Sequence, residues 1–474
     1  MIVMKFGGTS VESAAAIQRV AGIVGARVAR GPVVVVSAMG KTTNRLLAIA
    51  ADAVAGRRDE ALEQLRTLRE YHFENALQLA LESDEVEVER MLDKHFQELG
   101  ELVKGLAVLG ELTPRSVDAI SSYGERISSR IVTAGFRKLG LDAVHVDARR
   151  VLVTDRRHTQ AAPLLDATRA RLCTHVAPLV QAGKVVVMGG FIAATEDGVT
   201  TTLGRGGSDF SASVVGAAMS AEEIQIWTDV DGMLTADPNT VPGARRLKVI
   251  SFAEAAELAY FGAKVLHPST VLPAVEQNIP VLILNSRRPD VPGTRVVRES
   301  VPCANPVKSI ASKRPITVVH IHSTRMLMAH GFLHRIFEVF DRYETPVDMV
   351  ATSEVSVSAT IDNTKRLAEI RAELEGIAEV AVEHDLAIIA LVGENIRYTP
   401  GIGARIFRVL EKVNVLMISQ GGSQWNFSIV IAGESLKQAV RLLHGEFFAD
   451  LDPAVFDAEG GLQAAPGLSP EEPL

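Results

Sequence analysis

The sequence predicts an α/β protein in which a mainly parallel sheet flanked by helices is followed by two ferredoxin-like βαββαβ modules. Two observations support this fold class. Over residues 1–295, short apolar runs typical of buried strands alternate with helical patterns, which favours a parallel sheet. After a linker at 296–306, a pattern around Gly331 returns around Gly401, 70 residues further on, and each copy leads into two apolar strands.

The composition excludes several classes of protein. The 474 residues are 47% hydrophobic and 22% charged, which is ordinary for a globular chain of several domains. A net charge of -8 disfavours nucleic acid or an anionic membrane as the main partner. The two cysteines, Cys173 and Cys303, argue against a disulfide scaffold and a cysteine-rich zinc module. Since no signal peptide and no run of ~18 apolar residues is visible, we expect a cytoplasmic protein without membrane spans.

The chain opens with a βαβ unit. Ile2 to Phe6 forms a short apolar strand, Gly7-Gly8 breaks it, a helical pattern follows, and Val33 to Ser37 is typical of a strand buried on both faces. Residues 56–112 carry Glu, Leu and Arg at helical spacing. We therefore predict a helical excursion from the sheet there, with a packing role.

The repeated C-terminal modules are predicted to interleave. The first module, at 313–384, has all the strands and helices of a βαββαβ unit, whereas the second, at 385–449, ends one strand short. The best donor of the missing strand is the apolar segment 307–312, so the first module would be inserted within the second. Residues 450–474 are rich in Pro, Gly and Glu and are expected to form a disordered tail.

Lys5 and the glycines after it predict an anion site. Glycines between a strand and a helix N-terminus free backbone amides, the helix dipole favours an anion, and Lys5 adds a full positive charge. The segment Lys5-Phe6-Gly7-Gly8 is neither a P-loop nor the Gly-x-Gly-x-x-Gly turn of dinucleotide sites. A phosphate site of another kind is the natural use of these residues.

A second glycine-rich segment, Gly204 to Asp209, is more specific. Three glycines in four positions let the backbone approach a ligand closely, and Arg205 can hold a carboxylate or a phosphate through two hydrogen bonds. Asp209 can either cap the helix that follows or organise a lysine or ammonium group beside a phosphoryl site. The surrounding glycines favour the second role.

Three further segments carry polar groups whose isolated meaning stays open. Asp229 and Asp231 follow a strand, where they could bind a metal or form a turn. Lys264 lies in a glycine-containing loop and by itself would be a surface lysine, and His267 before a proline is better explained as a packed turn residue than as a base. Glu125 opens a helix and has no functional meaning on its own.

Taken together, these segments resemble the aspartate kinases of the amino-acid kinase superfamily. Five motifs occur in the family's order and contain Lys5, Glu125, Asp209, Asp229 and Lys264: Lys-Phe-Gly-Gly-Thr-Ser, Ser-Tyr-Gly-Glu, Thr-Leu-Gly-Arg-Gly-Gly-Ser-Asp, Trp-Thr-Asp-Val and Phe-Gly-Ala-Lys-Val-Leu-His-Pro. The C-terminal modules resemble the paired ACT domains of these enzymes, and the details are most similar to the monofunctional, lysine-sensitive branch. The resemblance implies an amino-acid kinase fold followed by two ACT domains.

The resemblance implies an ATP:L-aspartate 4-phosphotransferase, which makes 4-phospho-L-aspartate in the first step of lysine, threonine and methionine biosynthesis. Lys5 and Asp209 would be the catalytic residues, with Lys5 on the transferring phosphoryl group and Asp209 holding the lysine. The residues implied in aspartate binding are Thr43, Glu125, Phe191, Arg205 and Ser208. Those implied in ATP binding are Lys5, Phe6, Gly7, Gly8, Thr228, Asp229, Leu234, Lys264 and Val265. Mg²⁺ would arrive with ATP, held largely by the phosphates, and no metal site of the protein's own is expected.

The paired ACT domains imply feedback control by an amino acid, with lysine favoured, while threonine, both together, or insensitivity to either are left open. The implied effector contacts lie in the first module, at Met326, Gly331, Phe332, Leu333, Pro346, Val347, Asp348, Ser353 and Glu354. Asp348 and Glu354 are carboxylates that suit the ammonium groups of lysine. The resemblance also implies a homo-oligomer, either dimer or tetramer, that pairs through these domains.

Two other functions fit parts of the sequence. Another amino-acid kinase, acting on glutamate, acetylglutamate, carbamate or UMP, would share the anion site, but the ACT pair and the Glu125 segment argue against it. A catalytically silent amino-acid sensor would keep the ACT modules, but intact Lys5, Arg205 and Asp209 argue against that function. A panel of substrates separates these alternatives.

Overall fold

The computed structural model describes residues 1–81, 85–262, 268–324 and 330–457. The chain forms two compact units, one from Met1–Met233 with Val265–Glu299 and the other from Leu234–Lys264 with Ser300–Leu474. The chain therefore passes from one unit to the other more than once.

The secondary structure follows the alternation predicted from the sequence. The helices are α1 (Ala14–Gly25), α2 (Thr42–Val54), α3 (Arg58–Leu79), α4 (Glu85–Leu109), α5 (Pro114–Ser121), α6 (Tyr123–Lys138), α7 (Leu165–His175), α8 (Ala177–Gln181), α9 (Gly207–Ala218), α10 (Phe252–Tyr260), α11 (Leu272–Glu276), α12 (Phe332–Arg342), α13 (Leu367–Glu375), α14 (Ile402–Val409) and α15 (Leu436–Phe447). The strands are β1 (Ile2–Phe6), β2 (Pro32–Val36), β3 (Ala143–His145), β4 (Val153–Thr154), β5 (Val185–Gly189), β6 (Ile192–Thr195), β7 (Thr200–Thr202), β8 (Glu223–Thr228), β9 (Val249–Ser251), β10 (Val281–Asn285), β11 (Thr294–Val297), β12 (Ser309–His322), β13 (Val350–Thr352), β14 (Ser356–Ile361), β15 (Glu379–Val392), β16 (Val415–Gln420) and β17 (Asn426–Ala432).

The main sheet of the first unit has the strand order β3-β5-β2-β1-β8-β10-β11. Neighbours from β3 to β10 are parallel, and β11 runs antiparallel to β10. Parallel strands need crossover connections, whose helices cover both faces of the sheet, and this explains continuous apolar runs such as β2, whose valines are fully buried. The predicted mainly parallel sheet flanked by helices is confirmed.

Successive side chains of β1 point alternately into the apolar core and toward the candidate site. Ile2, Met4 and Phe6 belong to the apolar cluster that also contains residues of α1, α2 and α6. Because successive side chains of a strand point to opposite faces, Lys5 lies on the other face, where α9 packs against β1, β2 and β8. One short strand thus contributes to the core and places a charged group beside α9.

Helices α3 and α4 cover most of the segment 56–112. They pack on each other, on α2 and on α6, and they add Leu68, Leu92, Phe96 and Leu99 to the apolar cluster that includes β1. The excursion therefore enlarges the core of the first unit. None of the helices in the described part of the chain combines the length and the apolar character that a bilayer crossing requires.

A small three-stranded sheet, β4-β6-β7, leads into the glycine-rich segment. β6 and β7 are antiparallel and form a hairpin, in which Gly198 has a φ of 83°. β4 pairs parallel to β6. The chain leaves β7 at Thr202 and enters the glycine-rich loop that precedes α9.

The second unit is built on a six-stranded sheet of order β13-β14-β12-β15-β17-β16, in which all neighbours are antiparallel. β12 and β15 are each 14 residues long and pair with each other in both halves of the sheet. Residues 318–322 of β12 pair with 379–383 of β15, whereas 309–313 pair with 388–392. Each half thus contains the four strands of a βαββαβ module, which confirms the predicted fold class. The exact domain boundaries stay a prediction, because both strands run from one half into the other.

The segment Leu234–Lys264 lies inside the first predicted domain but belongs by its contacts to the second unit. One contact joins it to the residues before β12: Nζ of Lys308 lies 2.9 Å from Oε1 of Glu254, and both side chains are fully buried. Ser251 also donates its backbone N–H and its hydroxyl to Oε2 of Glu254. The partners across this contact are far apart in sequence, so no local pattern indicates it.

Residues 450–457 differ from the predicted disordered tail. Val455 and Phe456 are fully buried, and Asp457 forms an ion pair with Arg246. The prediction was wrong for these residues because it rested on the average composition of the segment. That average does not show that two apolar side chains are buried, or that the carboxylate of Asp457 has a partner 211 residues away. The rest of the predicted tail lies outside the described residues.

Candidate active site

The predicted site residues gather where parallel strands end. β5, β2, β1 and β8 are neighbours and run parallel, so their carboxyl ends lie at one edge of the sheet, where α/β proteins bind ligands. Lys5 and the Gly7-Gly8 turn stand at the end of β1, Ala38 follows β2, Gly190 follows β5 and Thr228 ends β8. Residues from four separate segments are thereby brought to one edge.

Lys5 and Asp209 form an ion pair at the start of α9. The Lys5 Nζ atom lies 2.7 Å from Asp209 Oδ1, and the two side chains are 11% and 15% exposed. Gly206, with a φ of 69°, is the N-cap of α9, and Asp209 lies in the first turn of the helix. The carboxylate therefore holds a lysine instead of capping the helix. Since the helix N-terminus carries a partial positive charge, this point favours an anion.

The turn after β1 is packed tightly against the segment after β2. A Cβ added to Gly8 would lie 2.7 Å from the Gly40 carbonyl oxygen and 3.0 Å from that of Ala38. Gly8 accepts a hydrogen bond from the Gly40 amide at 3.0 Å, and Gly7 donates its amide to the Trp227 carbonyl at 3.2 Å. Only glycine fits at position 8, because backbone atoms surround the space of a side chain.

Glu125 is a buried carboxylate, and only one of its two oxygens has a hydrogen-bond partner among the described residues. Its Oε1 accepts the Ala38 amide at 3.1 Å, whereas Oε2 has no hydrogen-bond partner among the described residues. Burial raises the pKa of this carboxyl to about 8, since a desolvated negative charge is costly. Gly189 approaches so closely that an added Cβ would lie 3.0 Å from Cβ of Glu125. Buried polar atoms normally have partners, so Oε2 marks a place for a ligand that donates hydrogen bonds.

Thr43 lies in the first turn of α2, close to the start of α6. A Cβ added to Gly124 would lie 3.4 Å from Thr43 Oγ1 and 2.7 Å from Cβ of Ala38. The glycine before Glu125 therefore lets α6 approach the segment that begins α2. This approach brings Thr43 to the neighbourhood of the buried carboxylate.

Two glycine contacts join the start of α9 to the end of β5. A Cβ on Gly190 would lie 2.8 Å from Cα of Ser208, and a Cβ on Gly207 would lie 2.6 Å from Cδ2 of Phe191. Phe191 itself has a φ of 61°, which is uncommon for a residue with a side chain. The glycines thus bring Ser208 and Phe191 together. Their role as substrate contacts stays a prediction.

Arg205 is exposed in the loop between β7 and α9. It stands between Gly204 and Gly206, whose φ values are 74° and 69°. In the described part of the chain, no carboxylate pairs with its guanidinium group. The loop therefore presents a cation that is available to an anionic ligand.

Asp118 is a residue of the site region that sequence reasoning missed. It is fully buried, and its Oδ2 lies 2.6 Å from Nδ1 of His158, while Oδ1 accepts the hydroxyl of Thr202 at 2.6 Å. The amide of Thr159 also donates to this carboxylate, at 3.0 Å. The Thr159 carbonyl oxygen would lie 3.0 Å from a Cβ on Gly204, so Asp118 supports the loop that carries Arg205. No motif marks it, because its partners are 40 and 84 residues away.

Among the predicted nucleotide-binding residues of the first unit, some side chains are fully buried and others are partly accessible to a ligand. The side chain of Phe6 is fully buried and stacks on Trp227 with ring centroids 5.9 Å apart, so only its backbone can meet a ligand. Thr228 and Asp229 follow β8 at the sheet edge, and the Thr228 hydroxyl donates to Asp229 Oδ1 at 3.2 Å. Their side chains are half-buried and stand at the carboxyl edge.

Asp231, the second candidate metal ligand, is engaged by the protein. Its Oδ1 accepts Nδ2 of Asn285 at 2.8 Å and Nε of Arg288 at 3.0 Å. These contacts tie the turn after β8 to the segment after β10. Within the described ranges, no group of three or more His, Cys, Asp or Glu side chains could hold a metal ion.

Several predicted residues lie elsewhere. Leu234 is part of the second unit, where its carbonyl accepts the hydroxyl of Ser309 at 2.7 Å. Lys264, Val265 and Met326 lie outside the described residues, as does His267. Their predicted roles therefore stay predictions.

Asp348, the main predicted effector carboxylate, already has a cationic partner. Nζ of Lys313 lies 2.9 Å from its Oδ1 and 2.7 Å from Oδ2 of Asp362. Burial is the main cause that raises the pKa of Asp348, against the opposing effect of Lys313. The Lys313 ammonium also lies 5.5 Å from the ring centroid of Tyr260. An internal ammonium group thus occupies the carboxylate that suits a lysine effector.

The other described effector candidates flank α12. Gly331, with a φ of 76°, precedes the helix, the side chain of Phe332 is buried in the core of its half of the sheet, and Leu333 is 41% exposed. Only the backbone of Phe332 can therefore meet a ligand. The candidates after the helix are Pro346, Val347, Ser353 and Glu354, of which all but Val347 are exposed.

Family comparisons agree with both parts of the chain. A model of the amino acid kinase family matches residues 1–285, and an ACT domain model matches residues 389–447. Since the first match covers more than half of the chain, and the parallel sheet carries the candidate site at its carboxyl edge, this protein belongs to the amino acid kinase family.

Individual relatives narrow the family further. The chain is 40% identical to Aspartokinase 2, chloroplastic, of Arabidopsis thaliana over 95% of this chain and 85% of that protein. It is 36% identical to Lysine-sensitive aspartokinase 3 of Escherichia coli over 94% of this chain and 99% of that protein. These identities assign the chain to the aspartokinases, as the motifs indicated.

Solved structures support the same assignment. E. coli aspartokinase III in complex with aspartate and ADP, described as its R-state, is 36% identical with a TM-score of 0.79, covering 94% of this chain and all of that one. The complex of the same enzyme with lysine and aspartate, its T-state, is 35% identical with a TM-score of 0.82, covering 94% and 99%. The predicted order of a kinase fold followed by ACT modules is therefore confirmed.

Proposed function

We propose that this enzyme transfers the γ-phosphoryl group of ATP to the β-carboxylate of L-aspartate, forming 4-phospho-L-aspartate and ADP. The observation that carries the proposal is the ion pair of Lys5 with Asp209, where a strand end meets the N-terminus of α9. A lysine held there can neutralise the charge that develops on a transferring phosphoryl group. The E. coli relative bound to aspartate and ADP supports the same pair of substrates.

The reaction needs positioning and charge neutralisation more than proton transfer. A β-carboxylate oxygen attacks the γ-phosphorus, and the bond from that phosphorus to the β–γ bridging oxygen breaks, so that ADP leaves with the electron pair. The nucleophile is ionised at neutral pH, because an aspartate carboxyl has a pKa near ~3.9. No general base is required, and Lys5 with the Gly8 amide is the group we assign to the phosphoryl oxygens.

Recognition of an amino acid is assigned to groups around Glu125. Its buried Oε2, without a partner among the described residues, suits the α-ammonium group of aspartate, which can donate to it. Arg205, exposed in its glycine loop, suits the α-carboxylate. Thr43, Ser208 and the backbone of Phe191 would complete the site with hydrogen bonds and shape.

ATP binding is assigned to the edge formed by β1 and β8. Gly7, Gly8, Thr228 and Asp229 stand at this edge, and the backbone of Phe6 joins them. Lys264 and Val265 remain proposed nucleotide contacts on the strength of the family motif that contains them. Leu234 remains a proposed contact through the resemblance alone, at a position where related enzymes can carry an aromatic residue. Mg²⁺ belongs to the substrate as the ATP complex, since phosphate oxygens are its preferred ligands.

We also propose that lysine inhibits this enzyme through the ACT modules. The E. coli relative has a structure with lysine bound, and the same modules here offer two carboxylates, Asp348 and the exposed Glu354. Because Lys313 already pairs with Asp348, an effector ammonium group would have to share that carboxylate or displace Lys313. Pairing of two or four chains through these modules, and a cytoplasmic location, stay proposals of the same kind.

The test of the catalytic proposal is an assay of ADP release for every substrate, with the acyl phosphate that a carboxylate substrate forms trapped with hydroxylamine. With ATP, we expect product from aspartate and none from glutamate, acetylglutamate, carbamate or UMP. Turnover of one of these substrates without turnover of aspartate would assign the chain to another kinase. Lysine binding without any turnover would identify a sensor.

The regulatory proposal is tested by titrating the same assay with lysine and threonine separately. We expect inhibition by lysine, and weaker inhibition in Asp348→Asn. Asp362→Asn is the matched control, because it removes the other carboxylate on Lys313 and leaves Asp348 in place. If threonine inhibits the enzyme and lysine does not, threonine is the effector and the proposal for lysine is wrong.

A further inference from the structure

A second pocket in the first unit lies apart from the residues assigned to catalysis. It has a volume of about 370 Å³ and is lined by α4, by α6, by β3 with the turn after it, and by Gly189 and Ile192. Lys5, Arg205 and Asp209 are not among its lining residues. No part of the proposed reaction uses this pocket.

Positive charge is concentrated in this pocket. Five cationic side chains line it, against three carboxylates, although the whole chain has a net charge of -8. The cations are Arg90 and Lys94 of α4, Arg126 and Arg130 of α6, and Arg149 after β3. Both helical pairs are four residues apart, a spacing that places like charges on one helix face and costs folding free energy unless an anion compensates it.

The carboxylates of the lining leave much of this charge uncompensated. Asp147 is bound by Arg149, with contacts of 3.0 Å to Nε and 2.6 Å to Nη2. Glu98 accepts the hydroxyl of Tyr123 at 2.8 Å. Over the described ranges, Arg90, Lys94 and Arg130 make no ion pair, so three cations of the lining are left without a carboxylate.

Arg126 carries a donor that nothing in the described structure satisfies. Its guanidinium carbon lies 3.9 Å from the ring centroid of Tyr123, its Nη2 reaches Glu98 at 3.5 Å, and its side chain is only 14% exposed. Its Nε is buried and has no hydrogen-bond partner among the described residues. The guanidinium group is held in place by stacking on Tyr123 and keeps an N–H donor without an acceptor in the described structure. Such a group is well suited to bind a carboxylate or a phosphate.

Two histidines complete the lining without adding charge at neutral pH. The pKa of His95 is lowered to about 4, mainly by burial and in part by Arg126 and Arg130, against the opposing effects of the hydrogen bond to Met91 and of Glu98. Burial also lowers the pKa of His145 to about 4, together with Arg130. Nδ1 of His95 donates to the Met91 carbonyl at 2.7 Å, so its Nε2 is an acceptor.

We propose that this pocket binds a small anion that carries two or more carboxylate or phosphoryl groups. Two pairs of cations on separate helices, Arg90 with Lys94 on α4 and Arg126 with Arg130 on α6, match two separated negative groups better than one. The site is coupled in structure to the substrate region, because Gly189 lines the pocket and also packs against Glu125. Binding is independent of the proposed phosphoryl transfer and can be measured without turnover.

The test is isothermal titration calorimetry on the full chain, with citrate and inorganic pyrophosphate as probes at low ionic strength. We expect one probe molecule per chain, and at least tenfold weaker binding in Arg130→Ser and in the double variant Arg90→Ser with Lys94→Ser. These side chains are exposed, so the variants should fold. Binding of citrate alone identifies a carboxylate ligand, and binding of pyrophosphate alone identifies a phosphoryl ligand.

Two controls separate this pocket from other anion sites. Lys104→Ser removes an exposed cation of α4 that does not line the pocket, and it should leave the affinity unchanged. Lys5→Met removes the cation of the proposed phosphoryl site and should also leave it unchanged. Absence of heat with both probes, or binding that is lost in Lys5→Met and kept in Arg130→Ser, would overturn the proposal.

Discussion

The ammonium nitrogen of Lys5 lies 2.7 Å from Oδ1 of Asp209, and both side chains are largely withdrawn from water. One residue comes from the first strand of the chain and the other from α9, some 200 residues later. An ion pair of this kind fixes the position of the lysine while leaving it charged. Its energetic role can be tested without removing the lysine itself.

Asp209→Asn should lower kcat by roughly 10²-fold or more, because Lys5 loses the carboxylate that positions it at the phosphoryl group. Lys5→Met should lower kcat at least as much. The hydroxylamine assay measures both, with circular dichroism as a check of folding. Lys104→Met, an exposed lysine of α4, serves as the control, and near-normal turnover by Asp209→Asn would contradict the assignment.

The aspartate dependence should follow the ionisation of Glu125. Since burial raises the pKa of this carboxyl to about 8, most of it is protonated at pH 7 in the free enzyme, whereas pairing with an ammonium group requires the anion. We expect kcat/KM for aspartate to rise by about tenfold per unit below pH 8 and to level off above it. In Glu125→Gln this rise should disappear. A profile that is the same in both proteins would remove Glu125 from substrate binding.

Gly8→Ala should damage both stability and ATP binding. The new methyl group would meet backbone oxygens at 2.7 and 3.0 Å, so the turn after β1 must shift. We expect a loss of about 1–3 kcal/mol in urea unfolding and a higher KM for ATP. Gly100→Ala in α4 is the matched control: nothing lies within 4 Å of its added Cβ, so it should gain about 0.5–1 kcal/mol.

Acid should destabilise the first unit through His72. Burial lowers the pKa of this fully buried histidine to about 4, so the unfolded chain binds its proton first as the pH falls below about 6.5. The stabilisation present at pH 7 is therefore lost progressively between about pH 6.5 and 4, by up to roughly 3 kcal/mol. His72→Phe should make this part of the pH dependence of the unfolding free energy less steep by the contribution of one histidine, while His95 and His145, whose pKa burial also lowers to about 4, keep theirs. An equally steep dependence in the variant would show that other groups cause it.

The buried pair of Lys308 and Glu254 should be sensitive to loss of one partner. Lys308→Met leaves Glu254 charged in an interior site, and we expect a loss of about 3–5 kcal/mol in the unfolding of the second unit. The double variant Lys308→Met with Glu254→Met should recover most of that loss. Arg371→Ala breaks an exposed pair with Glu375 and should change the stability little. If Lys308→Met changed the unfolding free energy only slightly, water or a shift of the chain would be compensating the carboxylate of Glu254.

The sequence is sufficient for those parts of the fold and site that are local. The apolar run of β1 with its glycine turn predicts a strand that ends in an anion site at Lys5, and the glycine-rich loop predicts that Arg205 can hold a carboxylate or a phosphate. Glu125 is visible only through the family motif, because what distinguishes it is burial and an oxygen without a partner in the described structure. These properties depend on Ala38 and Gly189, which are distant in sequence.

Long-range contacts explain what sequence patterns could not show. Asp118 has no motif, since its partners His158 and Thr202 come from other segments. The membership of Leu234–Lys264 in the second unit depends in the same way on contacts such as Glu254 with Lys308. A linear pattern assigns a segment to its neighbours in the chain, whereas packing assigns it to its neighbours in space.

The two 14-residue strands β12 and β15 have a consequence for how such a chain can change by recombination. Each strand begins in one half of the six-stranded sheet and ends in the other. A gene fragment that ends after β15 would remove β17, the partner of residues 386–392 of β15, and would leave the backbone N–H and C=O groups on that side of the strand unpaired. One half therefore cannot be exchanged without the other unless strand pairing is lost. New regulatory specificities must arise by substitution within the intact pair or by transfer of the pair as a whole.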